Sequence, residues 1–143
     1  MMFYEGMLID EETYQTYPEF KLQADQLAYM VTGSQVSKLR GSLVTDRYLD
    51  LYVTLQLPKQ TAVIDCLLRQ VRIIGIKDQK GLNITETKST GIPYVVILAV
   101  DEAYLNYLKK AEAMGSVELH LTRKQGHEEC VLASDSTVLP YLQ

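Results

Sequence analysis

The chain has 143 residues, 47% hydrophobic and 22% charged, enough for one domain with a buried core and the wrong balance for wholesale disorder. A net charge of -4 argues against nucleic acid as a partner, because that affinity comes largely from Lys and Arg displacing counterions from phosphate. Ten tyrosines stand against two phenylalanines and no tryptophan, a choice that suits half-buried strand positions or a protein-binding face.

The N-terminus, MMFYEGMLIDEE, has neither the basic start nor the apolar core of a signal peptide. No stretch approaches the roughly 20 apolar residues of a membrane span, so the chain as written reads as soluble. Tyr14 to Phe20 is interrupted by Pro18, Leu27 to Val31 reads as a short strand, and Thr32, Gly33 and Ser34 form a turn signal.

From Tyr48 to Gln56 the pattern has a strict period of two: Leu49, Leu51, Val53 and Leu55 on one face, Tyr48, Asp50, Tyr52 and Thr54 on the other. Pro58 closes this strand. Thr61 to Ile76 is rich in β-branched residues, broken only by Leu67, Leu68, Arg69 and Gln70, and reads as one long or bent strand or two short ones. A polar connection from Lys77 to Thr90 follows. Tyr94 to Val100 is a continuous apolar run after Pro93, as expected of a central strand buried on both sides.

Asp101 offers an N-cap carboxylate, and Tyr104, Tyr107, Leu108, Ala111 and Met114 recur at helical spacing. Gly115 is expected to stop this helix, about 101 to 114, in a left-handed conformation. Val117, Leu119 and Leu121 alternate inward in the next strand, with His120 facing solvent. Gln125 and Gly126 start a turn toward a strand at about Glu129 to Ala133, and the terminal TVLPYLQ is an edge or a docked tail. The order predicts an α+β fold, mainly antiparallel β with one packed helix, and no parallel βα rhythm.

Residues that carry chemistry are sparse. Two histidines leave little for His-dependent catalysis, and no Gly-rich phosphate loop or nucleophile elbow occurs. His127, Glu128, Glu129 and Cys130 are the only local cluster of potential ligands, with no second cluster to complete a zinc site. No metal and no cofactor is therefore expected. Cys66 and Cys130 are either two buried apolar side chains or one disulfide. Asp46 and Asp50 flank Arg47; on a strand they would lie on one face about 13 Å apart, which suits capping the strand and pairing with Arg47 better than acid-base work. The Asn83-Ile84-Thr85 sequon is read as chance.

Three stretches in collinear order resemble the RcpC-like region of CpaB/RcpC proteins, which assemble Flp (tight-adherence) pili and carry an SAF domain. Thr45 to Thr54 is similar to that family's G-D-R-V-D-V-x-V-T motif, with one extra residue between Arg47 and Asp50 and no Pro-Gly before Asp46. Leu67 to Asp78 is similar to its L-L-Q-N-V-x-V-L-A-x-D segment. Val95 to Arg123 is similar to its strand, Pro-Glu-led helix, glycine and strand, on Asp101, Glu102, Ala103, Leu105, Leu108, Ala111, Gly115, Val117, Leu119, Leu121 and Arg123.

The resemblance implies an excised piece: residues 1–38, in which Glu5 to Asp10 looks like the tail of an SAF-like (β-clip) domain, are that tail or an irregular β-leaning lead-in, and 39–143 are the RcpC-like α+β domain, together one compact unit for which an oligomer is left open. It implies a non-catalytic module on the extracytoplasmic face of a bacterial membrane, its parent membrane-anchored, binding envelope or pilus-assembly proteins such as a secretin. Asp46, Arg47, Tyr48, Asp50 and Tyr52 are the candidate binding residues. The alternative is a carbohydrate-like ligand-binding or enzyme-accessory domain of SAF type.

Overall fold

A computed structural model of the chain describes residues 22–32, 36, 46–122 and 128–143. Among them are strands β1 (Gln26–Thr32), β2 (Tyr48–Leu55), β3 (Val63–Lys77), β4 (Val95–Asp101), β5 (Gly115–Thr122) and β6 (Val131–Leu132). A 3-10 turn, Glu102–Tyr104, leads into helix α1 (Leu105–Met114), and a short helix α2 (Leu139–Leu142) closes the described chain. The strands form one sheet in the order β1-β4-β3-β2-β5, with β6 on β3, and every pairing is antiparallel. This is the expected α+β class.

The alternation read in β2 governs which face is dry. Leu49, Leu51, Val53 and Leu55 are fully buried while the residues between them are half-buried. Val117 and Leu119 of β5 join them, as do Leu108 and Ala111 of α1, which packs on this face. β4 is buried on both sides: Val96, Leu98 and Val100 enter the main core, while Ile97 and Ala99 pack with Ile74 on the opposite face. The strand begins at Val95, one residue later than its apolar run, and Tyr94 stays exposed.

β3 resolves the choice between one strand and two: it is a single strand of 15 residues, bent in the middle. The bend sits at Gln70, whose φ of 57° is left-handed, and the β2–β3 register shifts beside it. Before the bend β3 lies between β2 and β6; after it, between β2 and β4. β1, from the lead-in third, pairs along its whole length with β4, and Val36 is fully buried in the main core. The boundary expected near residue 38, Glu5 to Asp10, Tyr14 to Phe20 and the Gly33-Ser34 turn lie outside the described residues.

Both expected helix signals are corrected. Asp101 stands at the cap position but makes no side-chain cap hydrogen bond, because its backbone is still the last rung of β4, paired with Gln26. The Glu102 N–H is instead satisfied by the Asp25 carbonyl at 2.8 Å. Gly115 is not left-handed; its φ is 179°. Glycine is needed there for room, since a Cβ would lie 1.7 Å from the Thr54 carbonyl oxygen.

The polar connection after β3 is organised by Asp78, which is 1% exposed. Its Oδ1 accepts from the Lys80 and Leu82 N–H groups, and its Oδ2 from Ser89 Oγ and the Thr90 N–H, at 2.8 to 3.2 Å. Burial alone pushes this carboxyl's pKa up, but those hydrogen bonds outweigh it and hold it below the usual carboxylate range. The tail docks rather than forming an edge: Val138, Leu139 and Leu142 are buried, and Asp65 Oδ2 accepts from both the N–H and the hydroxyl of Thr137 at 2.9 Å.

Two outcomes follow. Gly115→Ala forces β5 away from β2 and costs about 3 kcal/mol, read from the midpoint of urea unfolding. The stabilisation from Asp78 is full above the ordinary aspartate pKa of about 3.9 and is lost as pH falls through its lower folded value. Asp78→Asn therefore lowers the melting temperature at neutral pH and flattens the acid limb of melting temperature against pH.

Candidate functional site

The candidate residues on β2 sit on its half-buried face, and most of what they bond to is the fold itself. Asp50 Oδ1 accepts from the backbone N–H of Gln70 at 3.2 Å, at the bend of β3. The Gln70 side chain donates to the Glu128 carbonyl at 2.9 Å, and the Gln70 carbonyl accepts from the Cys130 N–H at 2.9 Å. Asp50 thus works through Gln70 to place the segment leading into β6.

Asp46 lies before β2 with a φ of 71°, so the two carboxylates do not share a strand face as the spacing implied. Its N–H donates to the Ile73 carbonyl, and the Arg47 carbonyl accepts from the Ile73 N–H, each at 2.8 Å. Its carboxylate is 3.9 Å from the Arg72 guanidinium. Arg72 also lies 3.2 Å, through Nε, from Glu129 Oε1. The Tyr48 hydroxyl donates to that same oxygen at 3.1 Å. Glu129 Oε2 is buried and accepts no hydrogen bond.

Tyr52 stacks edge-on against His120 at 4.7 Å between ring centroids, and His120 faces solvent as expected, 3.3 Å from the Glu118 carboxylate. Tyr52 lies one pleat along β2 from Asp50, and His120 is paired directly opposite Asp50 on β5. Tyr48, Asp46 and Asp50 therefore converge on Arg72, Gln70 and Glu129, while Tyr52 does not.

Glu129 connects this network to an open cleft of about 770 Å³. The cleft lies where β4 ends, between Gln23–Gln26 and residues 128–134. Asp25, Asp101, Glu128 and Glu129 give it an acidic lining, and among the described residues no Lys or Arg contributes to it. Tyr104 stands at its rim, its phenol pKa raised by burial and then by the neighbouring Asp101.

The residues of the His127–Cys130 run diverge. His127 is outside the described residues; the Cys130 thiol is buried and accepts from the Asp101 N–H at 3.3 Å, while Glu129 turns to Tyr48 and Arg72. Among the described residues no group of three His, Cys, Asp or Glu side chains could hold a metal ion. Cys66 and Cys130 are free buried thiols. Burial pushes their pKa values up to about 11 and about 12 respectively, which keeps them protonated and unreactive at neutral pH.

Gln70, Arg72 and Glu129 were not among the candidate binding residues, and Glu129 stood out in the sequence only as a potential metal ligand beside His127 and Cys130. The one signal for Gln70 was the polar break it makes in an otherwise apolar β-branched run.

No known protein family, curated protein or solved structure matches the chain.

Asp50→Ala leaves the Gln70 N–H without its acceptor and is expected to cost about 1–3 kcal/mol. Tyr52→Ala, with a half-buried side chain outside the network, is expected to cost less in the same urea titration.

Proposed function

We propose that the chain is a non-catalytic protein-binding module of the bacterial cell envelope, an accessory of Flp-type pilus assembly that acts on the extracytoplasmic face of the membrane. The cleft carries this reading. It is open, and Asp25, Asp101, Glu128 and Glu129 give it an acidic lining with no Lys or Arg among the described residues, so a segment of a partner protein bearing Lys or Arg would complement it. The strand, helix, glycine and strand between Val95 and Thr122 support the resemblance to CpaB/RcpC proteins, as does the order of the three similar stretches. Among the described residues no helix is long and apolar enough to cross a membrane, so anchoring would come from elsewhere in a parent protein.

The candidate residues act in this reading as supports. Tyr48, Arg72 and Asp50, through Gln70, hold Glu128 to Cys130 against the sheet, and the cleft's carboxylates meet the partner. A second reading, binding of a carbohydrate-like small ligand, is favoured by the cleft's volume of about 770 Å³, which falls within the range of small-molecule sites.

Crosslinking in the native cell followed by affinity capture separates the two. The module is expected to recover pilus-assembly or other envelope proteins, and Glu128→Lys combined with Asp25→Asn is expected to reduce that recovery at least tenfold without changing the melting temperature. Recovery of cytosolic proteins alone refutes the proposal. Chemical-shift changes confined to the cleft on adding oligosaccharides would favour the ligand reading.

A further inference from the structure

The connection between β3 and β4 is anchored unevenly. Its first part is joined to β3 through the backbone: Asn83 bridges Lys77, and the Ile84 N–H donates to the Ile76 carbonyl at 3.2 Å. Ile84 also packs against the main core. At the far end Pro93 is buried, and the Tyr94 N–H donates to the Lys77 carbonyl at 2.9 Å.

Residues 86–92 lie between these anchors and are exposed apart from Ser89. Most of their hydrogen bonds are local. The Glu86 N–H donates to the Asn83 carbonyl, the Ser89 N–H to the Glu86 carbonyl, the Gly91 N–H to Ser89 Oγ, and the Ile92 N–H to Thr90 Oγ1. Among the described residues, Asp78 Oδ2 is the one atom outside residues 83–92 that accepts from this stretch, taking the Ser89 hydroxyl at 2.8 Å and the Thr90 N–H at 3.2 Å. The other oxygen, Oδ1, holds the Lys80 and Leu82 N–H groups of the first part.

We propose that residues 86–92 form a strap that lets go of Asp78 Oδ2 and opens as a unit, while the sheet and the first part of the connection stay folded. The strap's one large apolar side chain, Ile92, is already 60% exposed, so the hydrophobic effect adds little to its closure. What closes it is a pair of hydrogen bonds to one carboxylate oxygen, and water replaces both when the strap leaves. Gly91 gives the chain a place to turn: its φ is 74°, and no heavy atom lies within 4 Å of where a Cβ would sit.

Local openings that expose few apolar contacts are the least costly motions of a folded protein. The chemical consequence here falls on Lys88, exposed within the strap. Exposed loop tips of small and polar residues are preferred sites of proteolytic nicking, and the open strap presents Lys88 to a trypsin-like protease with β3 and β4 still paired. Lys80 is exposed as well, but Asp78 Oδ1 keeps its backbone in place.

Hydrogen exchange at neutral pH is expected to show the Thr90 amide exchanging faster than the paired amides of β3 and β4. Ser89→Ala removes one of the two latch bonds and leaves the Thr90 amide its own acceptor. It is expected to speed exchange at Thr90 about tenfold, and trypsin cleavage after Lys88 by a similar factor. The Leu82 amide, cleavage after Lys80 and the melting temperature are expected to stay unchanged. Thr85→Ala, which removes a hydroxyl that donates to Asn83, is expected to alter none of these. A Thr90 amide that exchanges no faster than those of β3 and β4 overturns the proposal, as does wild-type exchange at Thr90 in Ser89→Ala. Leu82 accelerating together with Thr90 in that variant means that the whole connection opens, and overturns the strap's boundary.

Discussion

Gln70 occupies a left-handed conformation in the middle of the longest strand, and the Asp50 carboxylate accepts its backbone N–H. A non-glycine residue in that region costs roughly 1–2 kcal/mol, so the bend persists because its neighbours hold it. Without it β3 would run straight and keep the same two neighbours throughout. With it, one strand serves β6 in its first half and β4 in its second, and the sheet can carry a cleft at the point where β4 leaves. The position of residues 128–130 follows from that change of direction, since Gln70 bonds to both Glu128 and Cys130.

The buried polar groups show how completely the fold accounts for its interior. Gln26 Oε1 accepts from the Gln23 N–H, Gln70 Nε2 donates to Glu128, Asp78 is saturated by its own loop, and Ser136 Oγ accepts from the Val138 N–H. Each sits where the backbone departs from regular structure. Among the described residues, Glu129 Oε2 is buried without a hydrogen-bond donor, in a residue that lines the cleft. A buried acceptor without a donor is a liability in a closed core.

What could be read from the residues was what depends on local periodicity. The strict alternation of β2 named its buried leucines correctly because one face is core and the other is not. α1 was legible from its three- and four-residue spacing, but its ends were not: the Glu102 N–H is satisfied by Asp25, more than seventy residues away in sequence, and Gly115 answers to the Thr54 carbonyl. Asp46, Tyr48 and Asp50 were picked out by local pattern. Their partners Arg72, Gln70 and Glu129 come from two other strands or their approaches, and no spacing rule connects them. The bend itself left only a faint trace, a polar break in a run of β-branched residues.

The docked tail has a bearing on when this protein can acquire its shape. Val138, Leu139 and Leu142 fill the same core as Leu49 of β2 and Val96 of β4, and Thr137 is fastened to Asp65 on β3. Domains fold as units during synthesis, and here the unit lacks part of its interior until residue 142 has left the ribosome. The nascent sheet must wait with that surface uncovered, which makes these residues a timing element for biogenesis as well as a piece of the hydrophobic interior.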